Sequence, residues 1–353
     1  MNILIACRTT EISDSSLRNV GSSLYLDRDQ DILEQQTYST MAYNHWKIQK
    51  QSDGYFTIQA AYADQKYIGM SSTSTGTNNI RLYSTLSDNT RWKIYVKSTG
   101  EMLIEPKSAK GKVLYAPNYS NGTDLQLVNI SHYGNNLHEW KIECQSNAPL
   151  EGQQGIDWCW VASARMFARH YVGNVELTQA EVESTIKEKY GDYLHGGNAA
   201  DVAYAIELFI RSIDESPMEM QYNLGGSNGR IFSENTLRRF INDGHVVIAG
   251  LDCLDNDNTI VRCHAILIAG YSATFLNGSL QFNFTINDPY PESDPPSWEN
   301  PPTIYGRVRI ETYAQICNTR NNLTDGSTEN WIWRCFITAK TDYSEDTSPP
   351  VVN

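Results

Sequence analysis

Gln153-Gln154-Gly155-Ile156-Asp157-Trp158-Cys159-Trp160-Val161-Ala162-Ser163-Ala164-Arg165-Met166-Phe167 decides how the second half of the chain is read. Trp160, Ala164, Phe167 and Tyr171 recur every three or four positions, which predicts an amphipathic helix from Trp158 to Tyr171. Asp157 stands where a side-chain cap would open it. Cys159 then falls in the first turn, where backbone N–H groups lack intrahelical partners and the helix dipole is positive. Both favour a thiolate. A side-chain amide from Gln153 or Gln154, upstream of the helix, together with the Cys159 N–H could donate to an oxyanion.

A base for such a thiol must come from elsewhere. Val261-Arg262-Cys263-His264-Ala265-Ile266-Leu267-Ile268-Ala269-Gly270-Tyr271 is an apolar, β-branched run ending in Gly, and it predicts a buried strand. Alternation along a strand turns Cys263 away from whatever His264 faces. A further alternating strand, Phe282 to Asp288, stops at Pro289. Asn287 and Asp288 end this strand, and since neighbours point to opposite faces only one of them can orient the imidazole. His45, His132, His138, His170, His195 and His245 lack comparable surroundings.

Trp158-Cys159-Trp160 followed by Ala162-Ser163 resembles the nucleophile helix of papain-like cysteine peptidases, closest to the staphopain-like and C39-like branch. Gln153 is similar to that family's oxyanion Gln, His264-Ala265 with Gly270-Tyr271 to its histidine strand, and Asp288-Pro289-Tyr290 to the C39-like acid. The resemblance implies a peptide-hydrolysing Cys159–His264–Asp288 triad assisted by Gln153. It also implies an α+β domain, a nucleophile helix packed on an antiparallel sheet, over residues 146–340. Leu177 to Val182 and Glu234 to Asp243 read as further helices, and Val246 to Gly250 starts a strand, giving helices first and sheet afterwards. The Pro-rich stretch from Pro289 to Pro302 reads as a loop at the cleft rim, and 341–353 as a disordered tail.

The first half is organised differently. Trp-Lys-Ile occurs at Trp46, Trp92 and Trp140, spaced 46 and 48 residues apart. Gly54 and Gly100 each follow their Trp by eight residues, Ile58 and Ile104 by twelve. Short alternating stretches such as Tyr55 to Gln59, separated by polar clusters such as Ser71 to Asn79, mean many short strands. Three such units, each too small to bury its own apolar face, should close on one another with the Trp rings in the core.

This array resembles the ricin-type β-trefoil lectins, with Leu17 to Val20 and Ser23 to Asp27 similar to the strand before that family's sugar-binding Asp. Its Gln-x-Trp signature is altered, the Gln position holding Asn44, Thr90 and His138. The resemblance implies an all-β trefoil of three repeats over 1–145 and one glycan site at Asp27 with Asn44. Repeats two and three carry Gly69 and Ala116 near the matching place.

Composition narrows the partners. Hydrophobic residues at 40% and charged residues at 20% are ordinary for a globular chain, and 353 residues suggest two domains. A net charge of −13 speaks against a nucleic-acid partner. No apolar run of membrane-spanning length occurs, and Ile3 to Cys7 is too short for a signal-peptide core, although a lectin's ligands lie outside cells. The seven cysteines have no metal-ligand spacing, so neither metal nor cofactor is expected. The expected partners are a protein or peptide substrate and glycans, and a homodimer is compatible. Two other functions fit the same residues: a lectin whose papain-like half is a non-catalytic dimerisation or scaffold module, and an acyltransferase of the transglutaminase type.

Overall fold

A computed structural model describes residues 5–6, 11–37, 44–61, 65–71, 80–97, 100–131, 136–146, 148–155, 157–191, 199–213, 220–224, 233–254, 260–276, 279–290, 306–318 and 330–339. Most of the Pro-rich stretch and all of the 341–353 tail lie outside these residues. The chain forms two compact units. One comprises Met1–Cys144, Asn242–Gly244 and Tyr271–Phe282, the other Gln145–Ile241, His245–Gly270 and Asn283–Asn353.

The first unit is a β-trefoil built from short antiparallel strands. Each Trp-Lys-Ile opens a strand, Trp46–Lys50, Trp92–Val96 and Trp140–Gln145. Gly54 and Gly100 hold φ of 82° and 94° in the turns after the first two, a region costly for other residues. All three Trp rings are fully buried, and each indole N–H donates to a backbone carbonyl: Trp46 to Leu26 at 3.0 Å, Trp92 to Ile68 at 2.8 Å, Trp140 to Leu114 at 3.2 Å. The ring fills the core while its one polar atom stays satisfied. These bonds also fix the repeat register, which makes Asp27, Gly69 and Tyr115 equivalent, one residue before Ala116 in the third repeat. A Cβ on Gly69 would lie 2.7 Å from the Tyr83 ring, so the second repeat has no room for a carboxylate there.

The second unit is α+β. Helix α1 spans Cys159–Val172, α2 Gln179–Tyr190, α3 Ala199–Arg211, α4 Glu234–Asn242 and α5 Tyr313–Asn318. Helix α2 starts at a capping box in which Thr178 and Glu181 satisfy each other's backbone N–H groups. In the antiparallel sheet Val247–Leu254 pairs with the histidine strand, Ile260–Leu276, on one side and Asn330–Ala339 on the other. The aspartate strand, Ser279–Asp288, pairs with the arginine strand, Arg307–Thr312. Phe167 of α1, Ile186 of α2 and Phe209 of α3 share one buried cluster with Ile248, Leu267 and Ile337 of the sheet.

The helices-then-sheet order is interrupted. Met220–Leu224 lies between α3 and α4 and pairs with the last strand, a non-local pairing that leaves no local signature. Helix α3 was legible in the spacing of Val202, Ala205, Ile206 and Phe209 but was not anticipated.

Candidate active site

Cys159 is the first residue of α1 and is buried. The expected Asp157 cap is absent. Trp158 occupies the cap position and no side chain caps the helix. The cause is a tight turn in which the Trp158 N–H reaches the Gly155 carbonyl at 3.4 Å. That leaves Asp157 exposed at its tip with φ of 63°. Gly155 is obligatory in this turn, because a Cβ there would meet the Trp158 indole at 2.5 Å. The uncapped end leaves the first-turn N–H groups without a side-chain cap beside the sulfur.

Two contacts register the helix on the histidine strand. The Cys159 thiol faces the Cys263 carbonyl at 4.0 Å, and the Ser163 hydroxyl donates to the Ala265 carbonyl at 3.0 Å. Four helical residues rise about 6 Å and two strand residues about 6.6 Å, so helix and strand keep step over this distance. Between those carbonyls lies His264. Its Nε2–H donates to Asp288 Oδ1 at 2.8 Å, and it also shares a side-chain hydrogen bond with Cys159. With Nε2 taken, Nδ1 is the ring atom left for the sulfur. Burial alone would depress the His264 pKa. The Asp288 carboxylate and then Cys159 outweigh it and lift the value to about 10.

Asp288 has no solvent exposure. Oδ1 also accepts from the Tyr290 N–H at 2.9 Å. Oδ2 accepts from Arg309 Nη1 at 2.8 Å and from Arg307 Nε and Nη2 at 3.3 Å each. Burial would raise the Asp288 pKa, but His264 and Arg309 hold it well below the carboxylate range. Asn287 faces the other way, donating to the Ala148 and Pro149 carbonyls at 3.2 and 3.4 Å. The Tyr290 ring stands edge-on to the imidazole, centroids 6.1 Å apart.

Gln153 is buried and anchored beside the acid, its backbone N–H donating to the Pro289 carbonyl at 2.9 Å. Its side-chain amide donates to the Gly155 carbonyl at 3.1 Å, leaving a second amide hydrogen. Gln154 is exposed, and its backbone N–H goes to the Gln179 side chain at 3.0 Å. Gln179 in turn donates to the Gly152 carbonyl at 3.0 Å. Glu151 bonds Arg165 at 2.7 Å and also Arg169, so α1 itself grips this segment. Gly306 fits where a Cβ would lie 2.5 Å from the Asp288 carbonyl oxygen and 2.7 Å from that of Glu151. Ser163, Gln179, Gly306, Arg307 and Arg309 were not foreseen. The alternation of Arg307, Arg309 and Glu311 was the only visible signal, a polar face on a short strand.

In the trefoil, Asp27 is only 4% exposed, and its Oδ1 accepts from the Arg28 N–H. Burial raises its pKa to about 6. Asn44 is wholly buried. Cys144 and Cys159 are buried and Cys263 half-buried, none of them in a disulfide, and among the described residues no His, Cys, Asp and Glu cluster could hold a metal. No helix among them is long and apolar enough to cross a membrane.

A trefoil of the ricin-B lectin type and a cysteine-peptidase-type fold thus occupy one chain. The family model described as Peptidase_C39 like matches residues 139–317, just over half of the sequence, and the chain belongs to that family. A ricin-type beta-trefoil lectin domain-like model matches residues 42–131. Among solved structures, the designed threefold-symmetric protein ThreeFoil is 24% identical, covering 36% of this chain and 94% of its own, with a TM-score of 0.31. The Macrolepiota procera ricin B-like lectin, solved in complex with lactose, is 14% identical over 37% of this chain and 94% of its own, with a TM-score of 0.32. The Rhizoctonia solani agglutinin is 18% identical over 36% and 93%, also with a TM-score of 0.32. No curated protein matches.

Proposed function

We propose that this protein is a cysteine peptidase that its trefoil delivers to glycan-bearing substrates. The observation that carries the reading is the 2.8 Å bond from His264 Nε2 to a fully buried Asp288 carboxylate, which leaves Nδ1 to the thiol at the tip of α1. In this mechanism His264 takes the Cys159 proton, and the thiolate attacks the substrate carbonyl carbon. The carbonyl electron pair moves onto oxygen, which the Cys159 N–H and the spare amide hydrogen of Gln153 stabilise. The C–N bond then breaks, and the imidazolium protonates the departing amine. Water, deprotonated by His264, attacks the thioester, releasing the acid and restoring the pair. Asp288 keeps the ring in one tautomer and balances its charge.

Glycan binding is the trefoil's part, with Asp27 as the carboxylate that accepts from sugar hydroxyls and Asn44, itself closed to solvent, as the second residue of the site. Binding to glycans raises the local substrate concentration at the thiol. The test is incubation of the full chain with a cellular proteome, wild type against Cys159→Ala, with new termini read by mass spectrometry. Cleavages that vanish in the variant support the reading. Identical termini from both proteins sink it.

A further inference from the structure

The Asp288 carboxylate is shared between two sides of the fold. Oδ1 serves His264 and the Tyr290 N–H, while Oδ2 receives three N–H groups from two arginines that the proposed mechanism does not use. Those arginines are placed by register. Asp288 pairs with Arg307 and Ile286 with Arg309, so alternate residues of the arginine strand reach the Asp288 face together. Gly306, at the head of that strand, lets the backbones close to a distance that no side chain would allow.

From this geometry we infer that Arg309, backed by Arg307, is a positioning residue that fixes Asp288 with one oxygen toward His264 and sets the pH range in which the Cys159–His264 pair stays charged. The inference rests on the reading of Cys159 as nucleophile and His264 as base.

Two physical arguments support it. A carboxylate without solvent exposure stays ionised only where cations or hydrogen bonds replace water. Here Arg309 and Arg307 do so: the Arg309 fork spans Asp288 and Glu311 with one nitrogen to each, and Arg307 brings two nitrogens to Oδ2, a fixed geometry that a lysine's single point of charge would not reproduce. The same positive charges also oppose the field that Asp288 exerts on the imidazole. Among the described residues, the other groups facing this pair are few. Cys159 faces it from α1, and Tyr290 stands edge-on from the loop. Glu311 of the arginine strand takes the other guanidinium nitrogen of Arg309. On the neighbouring strand the residue paired with His264 is the apolar Leu251.

The sign follows. With Arg309 removed, the carboxylate acts undiluted on the imidazolium, which keeps its proton to higher pH. The alkaline limb of the activity profile therefore moves up.

The experiment measures peptide hydrolysis and Cys159 alkylation by iodoacetamide across pH, in the full chain carrying Arg309→Gln, Arg309→Lys or Arg307→Gln. Arg309→Gln should move the alkaline limb up by about 0.5–1 pH unit and lower kcat about tenfold at unchanged KM. Arg309→Lys should restore the limb but not kcat, and Arg307→Gln should shift it in the same direction by less. A folded Arg309→Gln protein with the alkaline limb and kcat as in wild type overturns the inference. If Arg309→Gln does not fold, a wild-type kcat from Arg309→Lys together with a wild-type alkaline limb from Arg307→Gln overturns it instead. Wild-type alkylation that follows an ordinary thiol curve and ignores His264→Ala removes the nucleophile reading, and this inference with it.

Discussion

At the residue scale the candidate site turns on one carboxylate. Asp288→Asn removes the charge that lifts His264, so the alkaline limb of hydrolysis should fall toward the ordinary imidazole value and kcat/KM should drop roughly 10- to 1000-fold. Arg307 and Arg309 would then face a neutral amide, with an expected loss of about 1–3 kcal/mol in denaturant unfolding. The pair also shapes stability against pH. Asp288 is depressed, so its contribution is present above its ordinary 3.8 and lost as pH falls. His264 is raised, so its contribution is complete below 6.5 and lost as pH rises through about 10. Wild type and Asp288→Asn should therefore differ most between those windows, in thermal melts recorded from pH 3 to 11. The choice between Asn287 and Asp288 was half legible in the sequence: alternation said that one of them must turn away. Which one turns away is set by a tertiary contact, the Ala148 and Pro149 carbonyls that claim Asn287.

At the scale of elements, what matters is that a helix and a strand keep step. Cys159 and Ser163 on α1 meet the Cys263 and Ala265 carbonyls on the histidine strand, so Ser163 sets the height of the Cys159 sulfur. Ser163→Ala removes a buried hydrogen bond to the Ala265 carbonyl, and urea unfolding should show a loss of about 1–2 kcal/mol. Gly306→Ala should do more harm to turnover, because two backbone carbonyls, those of Asp288 and Glu151, would have to move apart. The measurement is kcat at saturating peptide in both variants, with Gly306→Ala the lower. Periodicity made α1 and the histidine strand readable, since each carries its own apolar rhythm. It could not disclose Gln179 or Arg309, whose meaning comes from distant partners, nor the missing Asp157 cap, which a tight turn at Gly155 forestalls.

Across the whole molecule, the repeat announced its trefoil through three tryptophans, and the structure shows why they recur: each is a buried ring with one satisfied N–H. One consequence is chemical asymmetry, since only the first repeat carries a carboxylate at the equivalent position. If Asp27 binds sugar, affinity on a glycan array should fall as pH drops through about 6, where this residue takes up its proton, and Asp27→Asn should be insensitive to pH. On glycoprotein substrates the same variant should raise KM and leave kcat unchanged. Peptides without sugar should not distinguish it from wild type. The three indole bonds also close loops of unequal length, from Leu26 to Trp46, Ile68 to Trp92 and Leu114 to Trp140, which contain successively more chain. A body pinned at three like points can thus lengthen one arm without disturbing the others. New recognition can be grafted onto a single flank, and a symmetric frame becomes one-sided without being rebuilt.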